Sequence, residues 1–423
     1  MVNTFKFAFR SKSDVAFLWG FRRFDGFSSP SQMQPRLGVA LASVLVVVLA
    51  ALARPRLVPS PDLPPPRAMA DALELRTEPL SVEKHLILGC SPLAGIYGSI
   101  PESQAFDTVK TALELGFRDF DTAPHYGLGL SERRLGAALE KHAGETRDVR
   151  VWSKVGRVMK PHAEVTERDR AAGNVEEGNM PGHPGCIFPD APTDVTPVLD
   201  YSAEGVRRSH ADSLRRLGIR REIFGLRVHD AEDAARFAAA SAPATGGVDA
   251  LVEMRNAGII EAVSLGMNDP MYVERMLREK PNGTFDSVMS AGAWNLIDQD
   301  GAGLMALCQA RGVKIHNAGI FASGLLVGGD HYKYEKAPPE ILARREKWAA
   351  LAKTHGVPLP AVAIAFALAP AVVEKAAVGV KSADEVRANV LWLEAAANVP
   401  KRLWEDAKAQ GLLAADVPTP GGE

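Results

Sequence analysis

From residue 84 onward, short apolar runs alternate with longer stretches whose apolar residues recur every three or four positions. The runs predict strands at HLILG (85–89), FRDFD (117–121), VRVWSK (149–154) and IFGLRVH (223–229). Further strands are predicted at AVSLG (262–266), DSVMSA (286–291), VKIHNA (313–318) and AAVGV (376–380). The helical spacing between them predicts helices over 102–115, 130–142, 203–217, 248–257, 270–279, 302–311 and 382–395. In the first of these, Ala105, Val109, Ala112 and Leu113 share one face. Gly116, Gly218, Gly258 and Gly312 stand just past helix ends, where a left-handed residue terminates the last turn.

Strand–helix alternation implies a parallel sheet. Eight strands over roughly 320 residues suit a (β/α)8 TIM barrel, whose usual size is about 250 residues plus insertions. The rival is a doubly wound open sheet, which would carry G-x-G-x-x-G after its first strand. GCSPLAGIYG (89–98) has the wrong glycine spacing, GLGLSE (127–132) has only the first two glycines, and GAGLMA (301–306) comes too late. Residues 157–202 are rich in Pro, Gly and Asp without clean periodicity, and predict a long loop after strand 3. Loops of that length in compact domains tend to carry function.

The first 68 residues differ from the rest. They hold nine Lys/Arg against three acids, which leaves 40 basic and 48 acidic residues from Met69 onward. An acidic body argues against nucleic acid as the main partner. LGVALASVLVVVLAALA (37–53) is an uncharged apolar run, and a Pro-rich linker follows it. Three readings stay open for 1–68. It is a cleaved targeting segment, a short membrane anchor at the lower limit of about 17 residues, or a mispredicted start with translation beginning at Met69. The expected organisation is thus a disordered N-terminal extension over 1–68, a barrel over 84–413 and a tail over 414–423. The expected location is the cytoplasm or an organelle, with membrane contact only if 37–53 is retained. Cys90, Cys186 and Cys308 are far apart and odd in number, so structural disulfides are not expected.

Side chains at the carboxyl ends of barrel strands point into the active site. Asp121 ends the second predicted strand, Tyr126 follows in the loop, Lys154 ends the third strand and His229 ends the fourth. Singly, a strand-end Asp is usually a helix cap and a lone Lys a solvated charge. Four such groups at successive strand ends point instead to a site. A free phenol has pKa about 10, too high for ready proton exchange at neutral pH. A neighbouring lysine would favour phenolate and lower that value, with Asp121 as the lysine's countercharge. His229 would orient the substrate oxygen, which gives a general acid/base beside a carbonyl or alcohol. HPGC (183–186) lacks a second ligand pair, so no metal is expected there. Tyr332 and Lys336 form Y-x-x-x-K by chance, late in the chain and without a dinucleotide fingerprint.

DTAPHYGLGLSERRLGAAL, WSKVGR and LRVHD closely resemble the aldo-keto reductase superfamily, over about residues 84–413. SPLAGIYG, VSLGMND, AGAWNLIDQ, AGIFASGLLVGGDHYKY and VGVKSADEVRANV resemble its branch of D-threo-aldose 1-dehydrogenases (L-fucose dehydrogenases) and L-galactose dehydrogenases. The resemblance implies a (β/α)8 barrel, NAD or NADP as cofactor, and Tyr126 as proton donor or acceptor supported by Asp121, Lys154 and His229. It implies cofactor contacts at Asn268 for the nicotinamide carboxamide, and at Gly319, Phe321, Ser323 and Gly324 around the pyrophosphate. Gly379, Lys381, Ser382, Glu385 and Asn389 would hold the adenosine end. Ala291 and Ala318 stand where the wider superfamily often has Gln and a stacking aromatic, and Trp294 stands where the branch commonly has Tyr. The implied activity is oxidation of the anomeric hydroxyl of an aldose to a lactone. General aldehyde or pyridoxal-type reduction on the same fold is the alternative, as is a non-catalytic NADP(H)-binding regulatory barrel.

Overall fold

A computed structural model of the chain describes residues 73–421, apart from 143, 145–147 and 219–222. The apolar run 37–53 and the rest of the N-terminal extension lie outside the described residues. Among the described residues no single helix is long and apolar enough to cross a membrane.

The barrel strands are β1 (Leu86–Gly89), β2 (Asp119–Asp121), β3 (Arg150–Pro161), β5 (Gly225–His229), β6 (Ala262–Met267), β7 (Ser287–Ala291), β8 (Lys314–Ala318) and β11 (Val373–Gly379). Each is parallel to its neighbours in the order β2-β1-β11-β8-β7-β6-β5-β3, and pairing of β2 with β3 closes the ring. The predicted (β/α)8 barrel is therefore the fold. Helices Glu102–Glu114, Leu130–Lys141, Ala203–Leu217, Gly247–Asn256, Pro270–Glu279, Ala302–Arg311 and Ala383–Ala396 cover its outside. Their ends fall within a residue of the predicted ones, and the four expected terminal glycines all take left-handed backbone.

The stretch 157–202 departs from expectation. β3 does not stop at Lys154 but runs on to Pro161, and β4 (Val195–Asp200) returns antiparallel to that extension, with Gly156 opposite Asp200. The loop proper is 162–194. It is anchored by a short helix, Glu167–Ala171, whose Thr166 and Asp169 form a reciprocal capping box. β3 leaves the barrel at Gly156, whose φ of 113° and contact with the Tyr201 ring leave no room for a Cβ. The short hairpin of β9 (His331–Tyr332) and β10 (Glu335–Lys336) was not anticipated. Neither were helices Pro339–Thr354 and Leu359–Ala367, the second buried over most of its length.

At the amino ends of the strands, residues 73–85 close the barrel floor. Leu75 bridges Pro370, and the Arg76 guanidinium donates to the carbonyls of Leu368 and Val373. Side chains alternate along the strands, so Asp119 and Asp121, Trp152 and Lys154, and Arg227 and His229 pair up on single faces. All six are buried.

Candidate active site

Asp121 is the last residue of β2 and is buried. One carboxylate oxygen accepts from Lys154 Nζ, and the other accepts from Arg227 Nε at 2.8 Å. Lys154 Nζ also donates to the Thr122 carbonyl at 2.9 Å and sits 4.6 Å from the centroid of the Tyr126 ring. Lys154 lies where β3 finishes its parallel pairing with β5, so the strand's extension does not move it from the barrel mouth. Tyr126 is in the turn between β2 and helix Leu130–Lys141. The His229 ring meets the Tyr126 ring edge-on, centroids 5.9 Å apart. The four groups predicted to converge do converge.

Burial would raise the Asp121 carboxyl, but Lys154 and Arg227 together hold it below the usual carboxylate range. Burial lowers Lys154 against the pull of Asp121. The expectation that Lys154 lowers the Tyr126 phenol is corrected. Burial, then Asp121 and Asp230, hold that phenol well above 10, and the cation that opposes them is Arg227. Lys154 is paired with Asp121, whose own charge raises the phenol. His229 is held well below its ordinary value by burial and by Arg157, and is neutral at pH 7. Arg157 Nη1 lies 3.3 Å from His229 Nδ1. A guanidinium has only donors, so Nδ1 accepts and the imidazole proton sits on Nε2.

Four supporting residues escaped the sequence reading. Arg227 precedes His229 by two and shares its inward face, which is the signal that an apolar-run reading passes over. Arg157 is buried, donates to Asp230 at 2.9 Å and grips Glu176 of the long loop with Nε and Nη2. The Tyr201 hydroxyl donates to the His229 carbonyl at 2.6 Å and so pins the left-handed corner at Asp230. Phe188, also from the long loop, packs 6.3 Å from Tyr126 in an apolar cluster with Leu128 and Met159. The loop therefore folds back over the phenol.

The residues assigned to a cofactor lie on neighbouring strand ends. Gly319 follows β8, and Ala322, Ser323 and Gly324 form a left-handed run with φ of 49°, 59° and 88°. Non-glycine residues rarely hold such angles, and successive amides in turns of this kind form anion-binding concavities. Ser323 Oγ accepts from the Tyr334 amide at 3.3 Å. Phe321 packs edge-on against Trp392. Asn268 is exposed and shared between Glu232 and the Tyr334 hydroxyl, which donates to Oδ1 at 3.3 Å. Beyond β11, which ends at Gly379, Lys381 is exposed, Ser382 caps helix Ala383–Ala396, and Glu385 accepts the Lys381 amide at 2.8 Å. Asn389 donates to the Glu385 carbonyl, while its buried Oδ1 has no partner. Trp294 is core: it stacks on Phe366 at 4.9 Å. Tyr332, of the chance Y-x-x-x-K and part of the hairpin, donates its hydroxyl to Asp298 of the segment after β7, at 2.7 Å.

A phenol set against a lysine–carboxylate pair and a neutral imidazole, at the carboxyl ends of a closed parallel barrel, defines a barrel enzyme of acid–base chemistry. The chain belongs to the aldo/keto reductase family, whose sequence model matches residues 85–399, and is an oxidoreductase of that family. It is 33% identical over 336 residues to a pyridoxal 4-dehydrogenase of Microbacterium luteolum, covering 77% of this chain and 93% of that one. It is 31% identical over 358 residues to a D-threo-aldose 1-dehydrogenase of a Pseudomonas species, covering 81% and 99%. In fold it matches a solved Bacillus halodurans aldo-keto reductase in holo form, with a TM-score of 0.57 and 23% identity over 83% of this chain and all of that one.

Proposed function

We propose that the protein is an NAD(P)-dependent dehydrogenase that oxidises the anomeric hydroxyl of an aldose of the D-threo, L-fucose or L-galactose type to a lactone. The observation that carries this reading is Tyr126 beside the buried Lys154–Asp121 pair, with His229 edge-on to it. It is supported by the 31% identity to an aldose 1-dehydrogenase along 99% of that relative. Tyr126 Oη exchanges the proton of the reacting oxygen. The Nε2–H of His229 donates to that oxygen and holds it against the phenol. The Lys154–Asp121 pair, fixed to rigid strands, keeps the phenol in place. Phe188 and the long loop exclude water.

The residues present fit a dinucleotide. The left-handed run offers the Ser323 and Gly324 amides for a pyrophosphate, Lys381 offers an exposed cation for a ribose or its phosphate, and the orphaned Asn389 Oδ1 suits an adenine amino group. When bound, the nicotinamide supplies the hydride acceptor in oxidation and the donor in reduction.

A second reading, oxidation or reduction at a pyridoxal-like aldehyde centre, is favoured by the 33% identity to a pyridoxal 4-dehydrogenase. Initial rates of NAD⁺ and NADP⁺ reduction with L-fucose, L-galactose, D-arabinose and pyridoxal separate the two. The aldose reading predicts kcat/KM at least about tenfold higher for a sugar than for pyridoxal, a gap of about 1.4 kcal/mol in transition-state binding. Pyridoxal as the better substrate overturns it.

A further inference from the structure

We propose that Arg227 is a positioning residue of this site: it holds the Asp121 oxygen that Lys154 does not take, and so fixes the carboxylate and its lysine beside Tyr126. The inference rests on Tyr126 being the proton-exchanging group. Arg227 is completely buried, and each of its three nitrogens donates a hydrogen bond. Nε donates to Asp121 at 2.8 Å, Nη1 to Ser264 Oγ at 2.7 Å and Nη2 to His316 Nδ1 at 2.8 Å. Its carbon centre lies 4.2 Å from the Trp152 ring centroid. Because Nη2 donates to Nδ1, the His316 proton sits on Nε2, which donates to Glu374 at 3.0 Å near the barrel floor. The guanidinium is thereby locked from Asp121 down to a half-exposed carboxylate.

The charge balance at the phenol follows from its neighbours. Lys154 and Arg227 supply two positive charges, and Asp121 supplies one negative. Asp230 is paired with Arg157, which also carries Glu176. Burial keeps His125 and His229 neutral, and pushes the Cys90 and Tyr334 protons off only at high pH. Burial, then Asp121 and Asp230, raise the phenol, and Arg227 opposes them by lowering it. Lys154, Arg227 and Arg157 balance Asp121, Asp230 and Glu176, so removing the Arg227 charge leaves the phenol harder to ionise. By easing that ionisation, Arg227 assists proton acceptance from an alcohol, the direction a dehydrogenase needs.

The test uses Arg227→Met, which keeps length and loses charge, and Arg227→Lys, which keeps charge and loses the fork. The readouts are the pH profile of kcat/KM for alcohol oxidation and the near-ultraviolet phenolate titration of each full-length chain against its Tyr126→Phe counterpart. Arg227→Met is expected to move the ionisation that switches oxidation on upward by about one pH unit or more. Arg227→Lys is expected to restore the profile to within about half a unit while lowering thermal stability. A folded Arg227→Met with the parent profile and titration overturns the proposal. Should Arg227→Met fail to fold, His316→Gln, which removes the distal anchor, is expected to shift the profile in the same direction by less; an unmoved profile overturns the proposal. The phenolate titration needs no turnover, so a chain that oxidises no alcohol refutes the proposed function while the role of Arg227 is still measured.

Discussion

Two carboxylates two residues apart on β2 show how the two ends of the barrel use one device differently. Asp119, near the floor, accepts from Arg150 at 2.9 and 2.5 Å, from Trp152 Nε1 at 3.2 Å, and pairs with Lys375 at 3.0 Å. Asp121, at the mouth, has Lys154 and Arg227. Each is buried between two cations. The difference lies in what stands next to them. The Arg150 side chain reaches solvent and Lys375 donates to the Glu83 carbonyl, so the lower cluster ties strands to the floor. The upper cluster has a phenol and a neutral imidazole above it. The same ion pairing is structural where its cations tie strands to the floor, and chemical where a phenol at the mouth lies beside the pair.

The largest effect is expected at the mouth. Asp121→Asn or Lys154→Met should cut kcat/KM by roughly a hundredfold to ten-thousandfold, read by steady-state kinetics on folded protein. Asp119→Asn should sharpen the contrast from the other side. It is expected to leave kcat within about threefold and to lower stability in urea by about 3 kcal/mol, since it removes the charge two buried or partly buried cations face. Equal losses of activity at the two positions would break the distinction.

Arg157→Lys should have an intermediate effect. A lysine cannot reach Glu176 with two donors while also contacting His229. The long loop is expected to become more susceptible to limited proteolysis, with kcat/KM down by about tenfold, on the order of 1.4 kcal/mol.

The sequence made most of this architecture legible. Alternation of apolar runs with helical spacing was enough for eight strands, and the left-handed glycines marked helix ends. The four converging groups were readable because Asp121, Lys154 and His229 end predicted strands and Tyr126 follows in the next loop. Arg227 and Arg157 were not, because a barrel strand is read as an apolar run, and only the side-chain alternation of β3 and β5 reveals a charged inner layer. The β3–β4 extension was hidden by Pro161 and Pro197, residues that normally argue against strands. The left-handed backbone at Ala322, Ser323, Lys333 and Tyr334 was equally hidden, since nothing but glycine advertises positive φ.

The smallest and most diagnostic effect is in pH. Because burial holds the Tyr126 proton well above pH 10, the protonated phenol dominates at neutral pH. Carbonyl reduction, which needs that proton, should be fully active below this ionisation and fall as pH rises toward it. Alcohol oxidation should rise over the same range, by up to tenfold per unit. Initial rates in both directions across the alkaline range check the opposition.

The most direct measurement is the pair of rates for the parent chain and Tyr126→Phe, in both directions, alongside cofactor affinity by fluorescence titration. The account predicts that the variant binds the dinucleotide within about twofold of the parent, under 0.5 kcal/mol, and turns over neither alcohol nor carbonyl at any pH. A variant that keeps a tenth or more of the parent rate with the parent's pH dependence would contradict it.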